Sequence, residues 1–166
     1  MSVSKEIISL LKEEGIDFVV SLPCKLLDEL IRILYDDESF IHIPATREEE
    51  GVGICVGAHL AGKIPVLLIQ NSGLGNSVNA LASLVMYYEI PLIIIASHRG
   101  TEGERIKAQV PMGEATPKIL EAIGMAHRIL ERSSDLEKIR ESIIKANTSG
   151  KPVAILLPFS FWRDDN

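Results

Sequence analysis

Cysteine is scarce in this 166-residue sequence: Cys24 and Cys55 sit in apolar surroundings, without the C-x-x-C spacing of a redox pair or metal site. A reducing cytoplasm suits such a chain. No apolar run exceeds about seven residues, against the ~20 needed to cross a bilayer, so no membrane role is expected. The opening MSVSKEIISLLKEEG carries acids at helical intervals, unlike a signal peptide or lipidation site. Basic residues are outnumbered, 17 to 23, and scattered, which gives a net charge of −6 and excludes a footprint for nucleic acid or anionic membrane. There is no H-x-x-x-H, no Cys/His cluster and no carboxylate pair at metal spacing, so no metal is expected on this chain alone. The glycines after Ser72 stop short of G-x-G-x-x-G, because Val78 stands at the third position, and no Gly-Lys-Ser/Thr follows. What remains is a soluble, cytoplasmic single domain spanning 1–166, with a small molecule or a protein as partner.

Apolar periodicity then sets out alternating helices and strands. Ile7, Ile8, Leu10 and Leu11 share one helical face that Gly15 ends, and Phe18, Val19 and Val20 follow as a buried strand. A helix over 25–35, a strand over 40–43, a Gly/Ala-rich helix over 47–61, a strand over 65–70 and a helix over about 76–88 continue the pattern. The run PLIIIAS at 91–97 leaves neither face polar, as a strand buried in a parallel sheet would. Residues 98–114 carry no clear period and read as a long loop, a candidate lid. A helix near 116–123, a weak strand at 127–130, a charged helix over 135–147 and the strand PVAILLP at 152–158 complete the chain before a polar tail expected to fray. The expected fold is α/β: a three-layer sandwich around a doubly wound, mainly parallel sheet of about six strands. Ligands bind such sheets beyond the carboxyl ends of the strands, which directs attention to residues 21–25, 44–48, 71–76 and 97–114.

Those segments hold the unusual residues. Thr46 and Glu49 have capping-box spacing. Glu48 is placed either to face a ligand at the sheet edge or to compensate the helix dipole in solvent. Gly51, Gly53 and Gly57 each cost a helix about 1 kcal/mol relative to Ala, and Gly53, Gly57 and Ala61 form a smooth stripe for the chain's own sheet or for another subunit. Asn71, Ser72, Gly73, Leu74, Gly75 and Asn76 read as a binding loop opening a helix, or as a plain capped turn. Pro23, Cys24 and Lys25 after the first strand, and His98, Arg99 and Gln109 after the fourth, could meet an anionic substrate.

The run EEEGVGICVGAHLAGK, the following strand and QNSGLGNSVNAL together resemble the pyrimidine-binding domain of thiamine-diphosphate-dependent decarboxylases, particularly those acting on phosphonopyruvate and sulfopyruvate. SLPCKLLDELI and HRGTEGERIKAQVPMG extend the likeness over nearly the whole chain. The resemblance implies decarboxylation of a small 2-oxoacid, with sulfopyruvate favoured, in coenzyme M biosynthesis, and phosphonopyruvate as the rival substrate. It implies Glu48, nine residues before Gly57, as the glutamate that hydrogen-bonds N1′ of the cofactor's aminopyrimidine, and residues 71–76 as lining its pyrimidine side. The family holds the cofactor's diphosphate through Mg2+ on a Gly-Asp-Gly motif, and this sequence has none. The resemblance therefore implies a separate beta subunit carrying the diphosphate domain and the metal, in a hetero-oligomer. From another class, a non-catalytic flavodoxin-like regulatory domain would leave Glu48 merely decorating a helix start.

Overall fold

The computed structural model describes residues 2–163; the tail acids Asp164 and Asp165 lie outside them. Six parallel strands, β1 (Phe18–Ser21), β2 (Ile41–Pro44), β3 (Pro65–Gln70), β4 (Ile93–His98), β5 (Ala126–Ile129) and β6 (Val153–Pro158), form one sheet in the order β2-β1-β3-β4-β6-β5. Composition decides which strands are central and which are edges. The runs VLLI, IIIA and VAILLP are buried on both faces, and only central positions bury both faces of a strand. IHIP and AHRI are half-exposed and take the two edges.

Helices α1 (Val3–Glu13), α2 (Asp28–Tyr35) and α7 (Glu137–Ser149) cover one face, packing Ile7, Leu11, Leu30 and Ile143 on Val19, Val66, Ile95 and Ile155. On the other face lie α3 (Glu48–Leu60), α4 (Asn71–Asn76) with the short α5 (Val78–Ala80) and a π-helical stretch Leu81–Met86, and α6 (Val110–Ala122). There Val52, Cys55, Leu81 and Leu120 meet Val20, Leu67, Ile94 and Leu156. This is the expected three-layer sandwich. The α2 crossover leads outward from β1 to β2, and the crossovers from β2 to β3, β3 to β4 and β4 to β5 lead the opposite way, so the winding reverses between β1 and β3. Chains leaving those two strands diverge and open a crevice at the carboxyl edge.

Three local expectations are corrected. The segment 71–76 is helix, not loop, because tertiary packing overrides its weak propensity. The irregular stretch ends earlier than 114: a 3-10 turn at Lys107–Gln109 leads into α6, which starts at Val110 with Pro111 in its first turn, where a missing N–H costs nothing. The capping box is shifted by one residue. Arg47, not Thr46, is the N-cap of α3, so the third helical residue is Glu50, whose Oε2 accepts from Thr46 N (3.0 Å) and Oγ1 (2.7 Å). Glu49 instead faces Arg47 at 3.4 Å.

Candidate functional site

Glu48 is the first residue of α3, half-buried, at the carboxyl edge of the sheet. Its side chain crosses to α4, where Oε2 accepts a hydrogen bond from Asn76 Nδ2 at 3.1 Å. Oε1 makes no hydrogen bond among the described residues. Gly73 makes this approach possible, because a Cβ there would collide with Glu48 Cγ and stand 2.9 Å from its carboxyl carbon. Gly75 does the same on the opposite side of α4, where a Cβ would come within 2.9 Å of Met112 Cε on α6. The glycines of this helix thus let two neighbouring side chains close in on its backbone. The carboxylate is held by one oxygen in a cradle that only glycine leaves open, with its second oxygen unengaged. That fits a ring nitrogen that shares a proton.

Asn71 is fully buried and fastens the end of β3 to its surroundings. Its Nδ2 donates to Arg99 O (3.1 Å) and Thr116 Oγ1 (3.0 Å), and its Oδ1 accepts from Arg99 N (3.0 Å). Ser72 Oγ accepts from Gln70 Nε2 at 2.8 Å, and the same amide nitrogen donates to Gln109 Oε1 at 3.2 Å. Leu74 is buried in the core of this face. Gln70 was passed over by sequence reasoning, which read it only as the end of a strand. Its signal was positional: a polar residue closing an otherwise apolar strand at the carboxyl edge.

Pro23, Cys24 and Lys25 leave β1 and line a cavity of about 440 Å³ with Asp28, Arg32 and Tyr35. Cys24 Sγ lies 2.9 Å from Ser97 Oγ and 4.0 Å from Gln70 Oε1, so the thiol joins β1, β3 and β4. Cys55 is different, because burial in the core pushes its thiol up to about 12.

The fourth strand's exit is tied down. Glu104 takes Arg99 Nε (2.7 Å) and Nη2 (2.8 Å), Gly100 N (3.1 Å) and Ile106 N (2.9 Å). The guanidinium of Arg99, 5.1 Å from the Phe159 ring centre, is engaged by that carboxylate. These bonds hold Glu104 down at about 2, Arg99 first among the causes. His98 is buried, and burial lowers its pKa, so the ring is neutral near pH 7. Its Nε2 donates to Gly113 O at 2.9 Å. That carbonyl needs a partner because Pro117, four residues on within α6, has no N–H to give it. At Gly113 a Cβ would stand 2.6 Å from Arg99 O, so loop and helix pack backbone to backbone.

The structure therefore gathers Cys24, Gln70, Ser72 and Gln109 in one hydrogen-bonded chain, and Glu48 from α3 with Gly73 and Asn76 of α4 in a second group. Among the described residues no group of three or more His, Cys, Asp or Glu could hold a metal ion, and no helix is long and apolar enough to cross a membrane.

Residues 1–125 match the family model described as the thiamine pyrophosphate enzyme, N-terminal TPP binding domain. Among curated proteins, the chain is 43% identical to sulfopyruvate decarboxylase subunit alpha of Methanococcus maripaludis, over 99% of each chain. It is 48% identical to the protein of that name from Methanothermobacter thermautotrophicus, covering 92% of this chain and 93% of the other. Sulfopyruvate decarboxylase of Methanosarcina acetivorans is 41% identical over 95% of this chain, which spans only 40% of that longer protein. Among solved structures, 2-oxoglutarate:ferredoxin oxidoreductase from Magnetococcus marinus superposes with a TM-score of 0.75 at 17% identity, over 96% of this chain and 29% of that one, and so shares the fold.

Proposed function

Since the chain belongs to the thiamine pyrophosphate enzymes and, within them, to the sulfopyruvate decarboxylase alpha subunits, we propose that it supplies the pyrimidine-binding half of a two-subunit sulfopyruvate decarboxylase. The reaction is the non-oxidative decarboxylation of 3-sulfopyruvate to sulfoacetaldehyde. The observation that carries the reading is Glu48, anchored through one oxygen by Asn76 above Gly73 with the other left to accept.

Thiamine diphosphate, when bound, supplies the electron sink for loss of carbon dioxide from the 2-oxoacid. The protein's part is to bind, orient and move protons. Glu48 Oε1 would hold N1′ of the aminopyrimidine through a shared proton, and Asn76 fixes the carboxylate's rotation. Ser72 to Gly75 line the pyrimidine side, with Asn71 setting the start of that helix. Pro23, Cys24 and Lys25 border the substrate, with the Lys25 ammonium near its anionic end. His98 and Arg99 fasten the segment that carries Gln109 to the same edge.

A beta subunit would supply the diphosphate domain and the residues that hold Mg2+. Two observations support a partner of that kind: the Methanosarcina relative is a single chain whose larger part has no counterpart here, and α3 has a bare face. Gly53 and Gly57 are exposed, a Cβ at either would meet no atom within 4 Å, and Leu60 is 76% exposed one turn further on. Tyr87 and Tyr88, packed edge to face and both exposed, follow the adjacent π-helical stretch.

The deciding experiment is carbon dioxide release from sulfopyruvate by this chain mixed with its beta subunit, thiamine diphosphate and Mg2+. Activity that requires both chains is expected. Activity on phosphonopyruvate but not sulfopyruvate would reassign the substrate, and a stable complex inactive on both would overturn the reading.

The bare helix face gives a separate expectation. Gly57→Arg should leave the isolated subunit folded, and up to about 1 kcal/mol more stable, because a helical glycine is removed where there is room. The same change should prevent co-purification with the partner. Undiminished assembly would show that the partner lies elsewhere.

A further inference from the structure

Building on this reading of the site, we propose that Gln70 and Cys24 are positioning residues that turn the Gln109 amide so that its NH2 group faces an anionic oxygen of the substrate. A carboxamide has a donor end and an acceptor end of nearly the same shape, so its hydrogen-bond partners alone decide which way it points. In this structure the Gln70 oxygen faces Cys24 and its nitrogen faces Ser72 and Gln109. Its Oε1 lies at the 4.0 Å reach of the Cys24 thiol, and its Nε2 donates to Ser72 Oγ at 2.8 Å and to Gln109 Oε1 at 3.2 Å. The thiol can serve as donor because the buried Ser97 hydroxyl, 2.9 Å away, can donate to its sulfur. With Ser97 as donor to the thiol, polarity runs in one direction from Ser97 through Cys24 and Gln70 to Gln109.

The consequence falls on Gln109. Its oxygen is consumed by Gln70, and its NH2 makes no hydrogen bond among the described residues. Its backbone is fixed too, since it caps α6 and a Cβ at Gly100 would collide with its carbonyl oxygen. Were the amide reversed, its carbonyl would face a substrate carrying two negative groups. Cys24 and Gln70 thereby select binding over repulsion through the Gln109 amide rather than through a hydrogen bond of their own to the substrate.

The test uses the assembled two-subunit enzyme with thiamine diphosphate and Mg2+. Gln70→Glu keeps the shape but cannot donate, so the Gln109 amide turns round to donate to the new carboxylate. KM for sulfopyruvate is expected to rise about tenfold or more, as for loss of a hydrogen bond to a charged group, with kcat changed less than threefold. Cys24→Ala should raise KM in the same direction, and Cys24→Ser, which keeps a donor to Gln70 and an acceptor from Ser97, should raise it clearly less than Cys24→Ala. In a Gln109→Ala background the Gln70→Glu effect should largely vanish, as coupling through one amide requires.

Inhibition separates the two anionic groups. A weaker Ki for 3-sulfopropionate with an unchanged Ki for pyruvate would assign the sulfonate, and equal weakening of both would assign the carboxylate. A parental KM in Gln70→Glu, or a shift undiminished by Gln109→Ala, would overturn the positioning role while leaving the decarboxylase reading intact. An inactive parent enzyme would instead count against the decarboxylase reading itself.

Discussion

Glu48→Gln in the assembled enzyme is expected to lower kcat by about 10²- to 10⁴-fold, the range lost with a positioned acid–base group. The substitution is nearly isosteric, so it separates chemistry from packing. The amide still fits above Gly73 and can still accept from Asn76 through its oxygen. What it cannot do is gain and lose a proton at the other atom. The subunit should fold, unfold and assemble as before, checked by circular dichroism and gel filtration, while carbon dioxide release collapses. A kcat within a few-fold of the parent would remove Glu48 from the mechanism and revive its bland role as an acid compensating the dipole of α3. Glu48→Asp should also be poorly active, because shortening the arm by one methylene draws the carboxylate back from Asn76.

Glu104→Ala should be the most damaging change to stability outside the core. The Glu104 carboxylate side chain is only 1% exposed and Arg99 is 11% exposed. Removing one partner strands a buried guanidinium and frees Gly100 N and Ile106 N from their acceptor, at a cost of about 3 kcal/mol or more. For a chain of this length that is a fall in Tm of about 6–12 °C. The acid limb has a definite sign. The carboxyl is held at about 2, below its ordinary 4.5, so its contribution is complete above 4.5 and is lost as pH falls toward 2. The parent and the variant should therefore differ most near neutrality and converge in acid. Thermal denaturation from pH 7 to pH 2 checks this, and a constant gap across the range would mean that Glu104 acts through packing alone. Replacing Arg99 and Glu104 together by apolar residues should recover much of the loss.

Most of the architecture was legible because it is written in hydrophobic period. All six strands and most helices were located by apolar runs and 3.6-residue stripes, and the strands buried on both faces proved central. Strand order is a property of long-range pairing that local period does not carry. The main misreading concerned residues 71–76. Glycines at 73 and 75 and asparagines at both ends argue for a loop, yet Glu48 and Met112 need those glycines to approach a helix. A glycine demanded by a neighbour looks the same in sequence as one demanded by a turn. The onset of α6 was more accessible, since Pro111 in a first turn is a known start signal. At the site, Glu48 stood out by position, whereas the part played by Gln70 depends on partners at residues 24 and 109 that only folding brings together.

The bond between His98 and the carbonyl of Gly113 constrains how such a chain can drift. A backbone acceptor abandoned by Pro117 is served by a side chain from a different strand, so the two residues form a lock of unequal parts. A lineage that loses the imidazole first leaves a buried carbonyl without a donor and passes through a less stable intermediate. A lineage that first exchanges Pro117 for a residue with an N–H restores the helix bond and releases His98 to vary. Histories of this pair should therefore run in one order, with position 117 leading and position 98 following.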